Sequence, residues 1–134
     1  MRHSLLVITG LFALMQAWTQ SAISATNTYI CAINEVEECR LNEACKRATP
    51  EDVNLAPIMV LDIAKKELVS ASMTDKGRKE TIEGLKVTDK HIFLHGLQDE
   101  EAWSTVISLE SGVLTGSISA VGTVFVLFGN CAPK

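Results

Sequence analysis

The chain is poor in aromatic side chains, with four Phe, two Trp and one Tyr among 134 residues, and it has only three prolines. So few aromatics leave nothing to build the girdles that flank the lipid-facing band of an outer-membrane barrel. Net positive charge is lacking as well: 12 Lys and Arg stand against 16 Asp and Glu, a formal charge of −4. A chain of this sign has no basic stripe with which to hold nucleic acid or anionic lipid, so neither is expected as a partner. Also missing are a CxxC pair, a GxSxG elbow and any apolar run of the roughly 20 residues that a membrane-spanning helix needs. These absences count against a zinc ribbon, a serine-hydrolase elbow and a helical membrane insertion.

What is present begins with a leader. Met1, Arg2 and His3 precede the apolar run "LLVITGLFALMQAW", and the small residues "SAISAT" follow. A basic start, a short apolar core and a small-residue exit are the parts of a secretory signal peptide. Thr9, Gly10 and Gln16 make the core a poor membrane anchor. Cleavage is expected after Ser24 or Ala25, with Ala25 preferred, which makes residues 1–25 the signal peptide and 26–134 one β domain of ordinary size. Removing Arg2 makes that domain one charge more acidic than the whole chain. "NTYIC" offers no small-residue lipobox before Cys31, so a periplasmic or secreted location is expected rather than lipid attachment.

Cys31, Cys39, Cys45 and Cys131 all lie beyond the leader, and an even count in an exported chain reads as a disulfide framework. On a helix, Cys39 and Cys45 would stand about 9 Å apart, beyond the roughly 7 Å that a bridge tolerates, so a bridge between them implies a loop. The polar segment "EECRLNEACKR" can close such a ring, while Cys31 and Cys131 sit in the first and last apolar runs. Of the three connectivities that four cysteines allow, the pairs Cys39 with Cys45 and Cys31 with Cys131 are preferred.

Between the cysteines the chain reads as strands. "TYICAIN" alternates Tyr29, Cys31 and Ile33 with smaller or polar neighbours, the period of a half-buried strand. In "ATPEDVNL", Thr49 can cap a short helix, with Pro50 in its first turn and Asp52 as capping partner. "PIMVLDI" and "ELVSAS" follow, joined at Lys65 and Lys66. From Glu80 onward five runs near ten residues apart, "ETIEGLKV", "KHIFLHGL", "AWSTVISL", "VLTGSISA" and "TVFVLFGNC", are separated by Asp, Ser or Gly turns, which predicts sequential hairpins. The fold expected is mainly β: a small antiparallel meander or barrel of about eight strands with one short helix, stapled by disulfides. Glu80, Glu83 and Lys86 interrupt the first of these five runs, which argues further against a lipid-facing barrel.

Within that meander, Trp103, Thr105, Ile107 and Leu109 share one face opposite Ser104 and Ser108, and Leu114, Gly116, Ile118 and Ala120 share another opposite Thr115, Ser117 and Ser119. The inward set makes Trp103, Ile107, Leu109 and Ile118 the candidate lining of a lumen. Gly116 and Gly129 inside strands predict sharp bending or a close neighbour. "VFVLF" is apolar on both faces, so Phe125 and Phe128 are both expected to be covered.

The candidates for chemistry are weak. His91 and His95 fall on one face of a strand about 13 Å apart, too far to share a metal ion. Glu35, Glu37 and Glu38, like Asp99, Glu100 and Glu101, are charge runs of the kind that is usually solvated. Ser104 and Ser111 have no triad partner. "DKGRK" could hold an anion through Lys76, Arg78 and Lys79 beside Gly77. No catalytic residue, cofactor or metal is expected, and the chain is not read as an enzyme.

Trp103, Ser104, Ile107, Gly112, Leu114, Thr115, Ser117, Gly122, Phe125, Phe128, Gly129 and Cys131 form the pattern WSxxIxxxxGxLTxSxxxxGxxFxxFGxC. In this the chain resembles small exported proteins of Gram-negative bacteria, more loosely also through "CAINEVEEC" and "LAPIMVLDI". The resemblance implies export and a mainly β fold, and brings no activity, ligand or catalytic residue with it. The function expected is therefore a non-enzymatic exported binding or interaction module. Its partner would be an apolar small molecule or another exported protein. The alternative is an inhibitor or stress-related partner of an exported protein, acting through the Cys39 to Cys45 loop with Arg40, Leu41 and Asn42. A hydrolase is the third reading, and no residue speaks for it.

Overall fold

The computed structural model describes residues 27–73 and 76–134, and the expected signal peptide lies outside the described residues. The described chain forms β1 (Thr28–Arg40), β2 (Lys46–Ala48), β3 (Ile58–Asp62), β4 (Glu67–Ser70) and β5 (Lys79–Thr81) in its first half. The second half forms β6 (Gly84–Val87), β7 (His91–Gln98), β8 (Glu101–Ser108), β9 (Val113–Ala120) and β10 (Thr123–Pro133). Among the described residues the one helical element is a 3-10 turn at Glu51–Val53. All strands belong to one antiparallel sheet in the order β5-β4-β3-β1-β10-β9-β8-β7-β6, with β2 paired to β1 alone. β6 to β10 are the expected meander. The sheet has ten strands rather than about eight because a short β2 follows the cystine loop and because "ETIEGLKV" breaks into β5 and β6.

That break shapes the molecule. β5 and β6 are the two ends of the sheet, yet only Ile82 and Glu83 separate them in the chain, so the sheet has to curl until its ends meet. Ile82 N–H donates to Lys66 O (3.0 Å) on the β4 side, and Glu83 N–H donates to His95 O (3.0 Å) on the β7 side. The stretch 79–87 thus pairs with β4 through its first half and with β7 through its second. The result is a curled antiparallel sheet, a half-barrel.

Strict alternation fixes which side chains face inward. In β7, Ile92, Leu94 and Gly96 are buried while Phe93, His95 and Leu97 are exposed. Ile92, Leu94, Ile107, Leu114, Leu127, Ile33, Val36, Leu61 and Ile82 meet in one apolar core. Each such side chain taken from water contributes roughly 1.5–3 kcal/mol before ordering costs. Cys31 and Cys131 lie directly across from each other in the β1–β10 ladder, with Cα atoms 4.0 Å apart, and their disulfide belongs to the same core. Cys39 and Cys45 are bridged as well, with Cα atoms 4.2 Å apart, and close the hairpin that joins β1 to β2. Both pairings agree with the sequence reading.

β1 does not alternate throughout. A bulge between Ile33 and Glu35 inserts Asn34, so the inward series Tyr29, Cys31, Ile33 resumes at Val36 and Glu38 instead of Glu35 and Glu37. Opposite the bulge, a Cβ on Gly129 would overlap the carbonyl oxygen of Ala32, and only glycine lets β10 come so close to β1. The bulge also corrects one expectation. Glu38, read as solvated, is only 9% exposed on the inner face, held by Arg40 Nε at 2.6 Å and near Lys46 Nζ at 3.9 Å. The hydrogen bond from Arg40 to the Glu38 carboxylate, and then its charge, push the Arg40 guanidinium pKa still higher.

A second correction concerns Phe125 and Phe128. Phe125 faces the core and is half-buried, but Phe128 points out and is 42% exposed, because consecutive inward positions on β10 are Phe125, Leu127 and Gly129. Thr49 and Asp52 make the expected reciprocal cap: Asp52 Oδ2 accepts from Thr49 N–H (3.0 Å) and Thr49 Oγ1 accepts from Asp52 N–H (3.2 Å). Those bonds lower the Asp52 carboxyl pKa. The turn they start is a single 3-10 turn that ends at Asn54 in the left-handed region (φ 54°).

Candidate functional site

The half-barrel is filled at one end and open at the other. At the filled end Ile107 is 1% exposed, and Leu109 packs against the same core. At the open end the curled sheet encloses a cleft of about 740 Å³. Of the four residues proposed from sequence as lumen lining, Trp103 and Ile118 stand in the cleft wall. Ile107 and Leu109 do not, since they belong to the packed end.

Three parts of the chain build the wall. β8, β9 and β10 supply Trp103, Thr105, Ile118 and Leu127 from inward positions. Met59 of β3 and Leu68 of β4 face them, and Val53, Asn54 and Leu55, at the end of the 3-10 turn and just past it, close one side. Polar groups stand beside these: Arg78 and Glu80, both largely buried, on the β5 side, and Gln98, Asp99, Glu100 and Glu101 on the β7–β8 turn. β5 pairs with β4 alone, and the Gln98 end of β7 pairs with β8 alone, so the cleft opens where these strands part.

Trp103 is held in place by what lies across from it. Its partner in the β7–β8 ladder is Gly96, and a Cβ there would stand 2.6 Å from the indole and 2.9 Å from the Thr81 carbonyl oxygen. The missing side chain at position 96 therefore makes the seat for the indole. Arg78 and Glu80, two positions apart on the same face, form an ion pair with Nε to Oε1 at 3.5 Å, and Arg78 Nη2 also donates to Asn54 O at 3.1 Å. Arg78 thereby ties β5 to the 3-10 turn across the cleft wall.

The other residues singled out from sequence take structural positions. His91, Phe93 and His95 lie on the outer face of β7, the His91 and Phe93 rings 5.8 Å apart and the His95 ring over Gly84. Ser104 and Ser117 share a hydrogen bond of 3.2 Å on the outer face. Ser111 accepts from Val113 N–H in the β8–β9 turn. Glu35 pairs with Arg47 at 2.6 Å. Of the cations of "DKGRK", Lys79 pairs with Glu67 at 3.4 Å and Arg78 turns to Asn54 and Glu80. Among the described residues, no group of three or more His, Cys, Asp and Glu is placed to hold a metal ion, and no helix is long and apolar enough to cross a membrane.

Sequence reasoning missed Leu55, Met59, Leu68, Arg78, Glu80 and Leu127 as lining. No local pattern marks them, because they reach the cleft through the curl of the sheet. No family model matches the chain, and neither a curated protein nor a solved structure does.

Proposed function

We propose that the protein is a non-enzymatic binding module of the exported, disulfide-containing kind, which holds a small molecule with an apolar body in the cleft of its half-barrel. The cleft carries this reading: at about 740 Å³ it is within the range of roughly 300–1,000 Å³ usual for small-molecule sites. Apolar side chains from β3, β4, β8, β9 and β10 line it together with polar groups, the combination that buries a ligand body and orients its head. Two disulfides suggest an oxidising compartment, in keeping with the signal peptide read in residues 1–25 and with the resemblance to exported Gram-negative proteins.

The test is native mass spectrometry of the protein purified gently from its own host, beside an Ile118→Trp variant whose larger side chain narrows the cleft. An apolar adduct that is lost on denaturation, and reduced in the variant, is the expected result. A bare mass for the unaltered protein, with no quenching of Trp103 fluorescence by apolar probes, overturns the reading. A second reading has its own observation: the cystine hairpin displays Leu41, 74% exposed, beside Asn42 in the left-handed region (φ 64°). A rigid loop with an apolar tip suits contact with an exported protein, and crosslinking at Leu41 tests it.

A further inference from the structure

We infer that the molecule held in the cleft is cationic, a small amphiphile with an apolar body and an ammonium-type head. This rests on the binding reading above and adds the charge of the ligand. Among the described residues the cleft is lined by four carboxylates, Glu80, Asp99, Glu100 and Glu101, and by one cation, Arg78. The cation is already engaged, 3.5 Å from the Glu80 carboxylate and 3.1 Å from the Asn54 carbonyl oxygen. An anionic head would have to compete with Glu80 for Arg78 while facing three more carboxylates, and like charges at such range repel. A cationic head meets the complementary field, and the net charge of −4 draws cations toward the molecule as a whole.

The order of groups along β8 supports the same head. Glu101, Trp103 and Thr105 are successive inward positions, so from the mouth inward the strand presents a carboxylate, an indole and a hydroxyl. Positions two apart on a strand are about 6.6 Å apart. A cation seated at the Glu101 carboxylate therefore has the indole as its neighbour on the same face, where a cation–π contact can add to the attraction. The indole is held against Gly96 and presents a fixed surface. Beyond it Ile118 and Leu127 receive the apolar body.

Three probes with one apolar body separate the possibilities: naphthylmethylamine, naphthylmethanol and naphthoate. Each is titrated by calorimetry into the protein with both disulfides intact, and binding that weakens in Ile118→Trp reports occupancy of the cleft. The amine should bind about tenfold more tightly than the alcohol, with naphthoate weakest. The preference should shrink severalfold in a Glu100→Gln, Glu101→Gln double variant, which removes two of the four carboxylates, and in about 1 M salt, where the screening length is about 3 Å. Unchanged affinity of that variant for the alcohol shows that its cleft is intact. Equal affinities for all three probes, tightest binding of naphthoate, or an amine preference undiminished in the double variant overturns the charge inference and leaves the binding reading standing. Failure of all three probes to bind overturns the binding reading itself, and the inference with it.

Discussion

At the scale of single residues, the positions that decide most are those where a side chain is missing. Gly129 was legible as a place of bending or close approach, because a glycine inside an apolar strand has little other reason to be there. The sequence could not say what approaches, and the structure answers with the Ala32 carbonyl oxygen on the bulged part of β1. That oxygen belongs to backbone, which cannot swing aside as a flexible side chain would. Gly129→Ala should therefore force β10 away from β1 and destabilise the protein by about 1–3 kcal/mol, the usual range for overpacking. Urea unfolding of the disulfide-intact protein measures this through the midpoint. A midpoint unchanged from the unaltered protein would show that the two strands can separate at no cost. The bulge explains the missed burial of Glu38 as well: one inserted residue reverses which carboxylates face inward, and no feature of "NEVEEC" marks where an insertion falls.

At the scale of elements, the four hairpins from β6 to β10 were legible because period-two alternation and turn residues coincide there. Gly112 and Gly122, both at positive φ, and Asp99 (φ 53°) stand in turns the sequence predicted. β2 was not legible, since its three residues, Lys46, Arg47 and Ala48, have no apolar alternation and gain their strand form by pairing with β1. Nor was the break at Ile82 and Glu83, because alternation tells which face a residue takes and not which neighbour its backbone finds. The two disulfides sit on these elements with unequal leverage. In the chain-entropy picture, a bridge spanning 100 residues stabilises by about 4.7 kcal/mol and one spanning six by about 2 kcal/mol. Replacing Cys31 and Cys131 together with Ala should thus lower the unfolding midpoint about twice as far as replacing Cys39 and Cys45, and should also loosen the core around Ile33 and Leu114. Thermal or urea unfolding of the two double variants compares them directly. Equal losses would mean that the cystine hairpin is as important to the fold as the central staple.

At the scale of the whole molecule, the half-barrel joins a packed end to an open one, and only half of this was readable in advance. Trp103 and Ile118 could be placed on an inner face because both lie in the meander, whereas Met59, Leu68, Arg78 and Glu80 reach the cleft through the curl of the sheet, a non-local event with no local mark. The same division should appear in backbone dynamics. β1 has 13 residues, is flanked by β3 and β10 and is bridged to β10, while β5 has three residues and one ladder partner beside the cleft. Short strands with few buried neighbours open locally at free energies well below that of global unfolding. In hydrogen exchange followed by mass spectrometry, amides of β1 and β10 should exchange last, and those of β5 and of the Asp99–Glu100 turn far earlier. A molecule that binds between Glu80 and Trp103 draws these two fast regions together, so its addition should slow exchange there and leave β1 unchanged. Uniform protection across the sheet would mean that the open end is as rigid as the packed one, and that the cleft is a fixed recess rather than two lips able to close on a ligand.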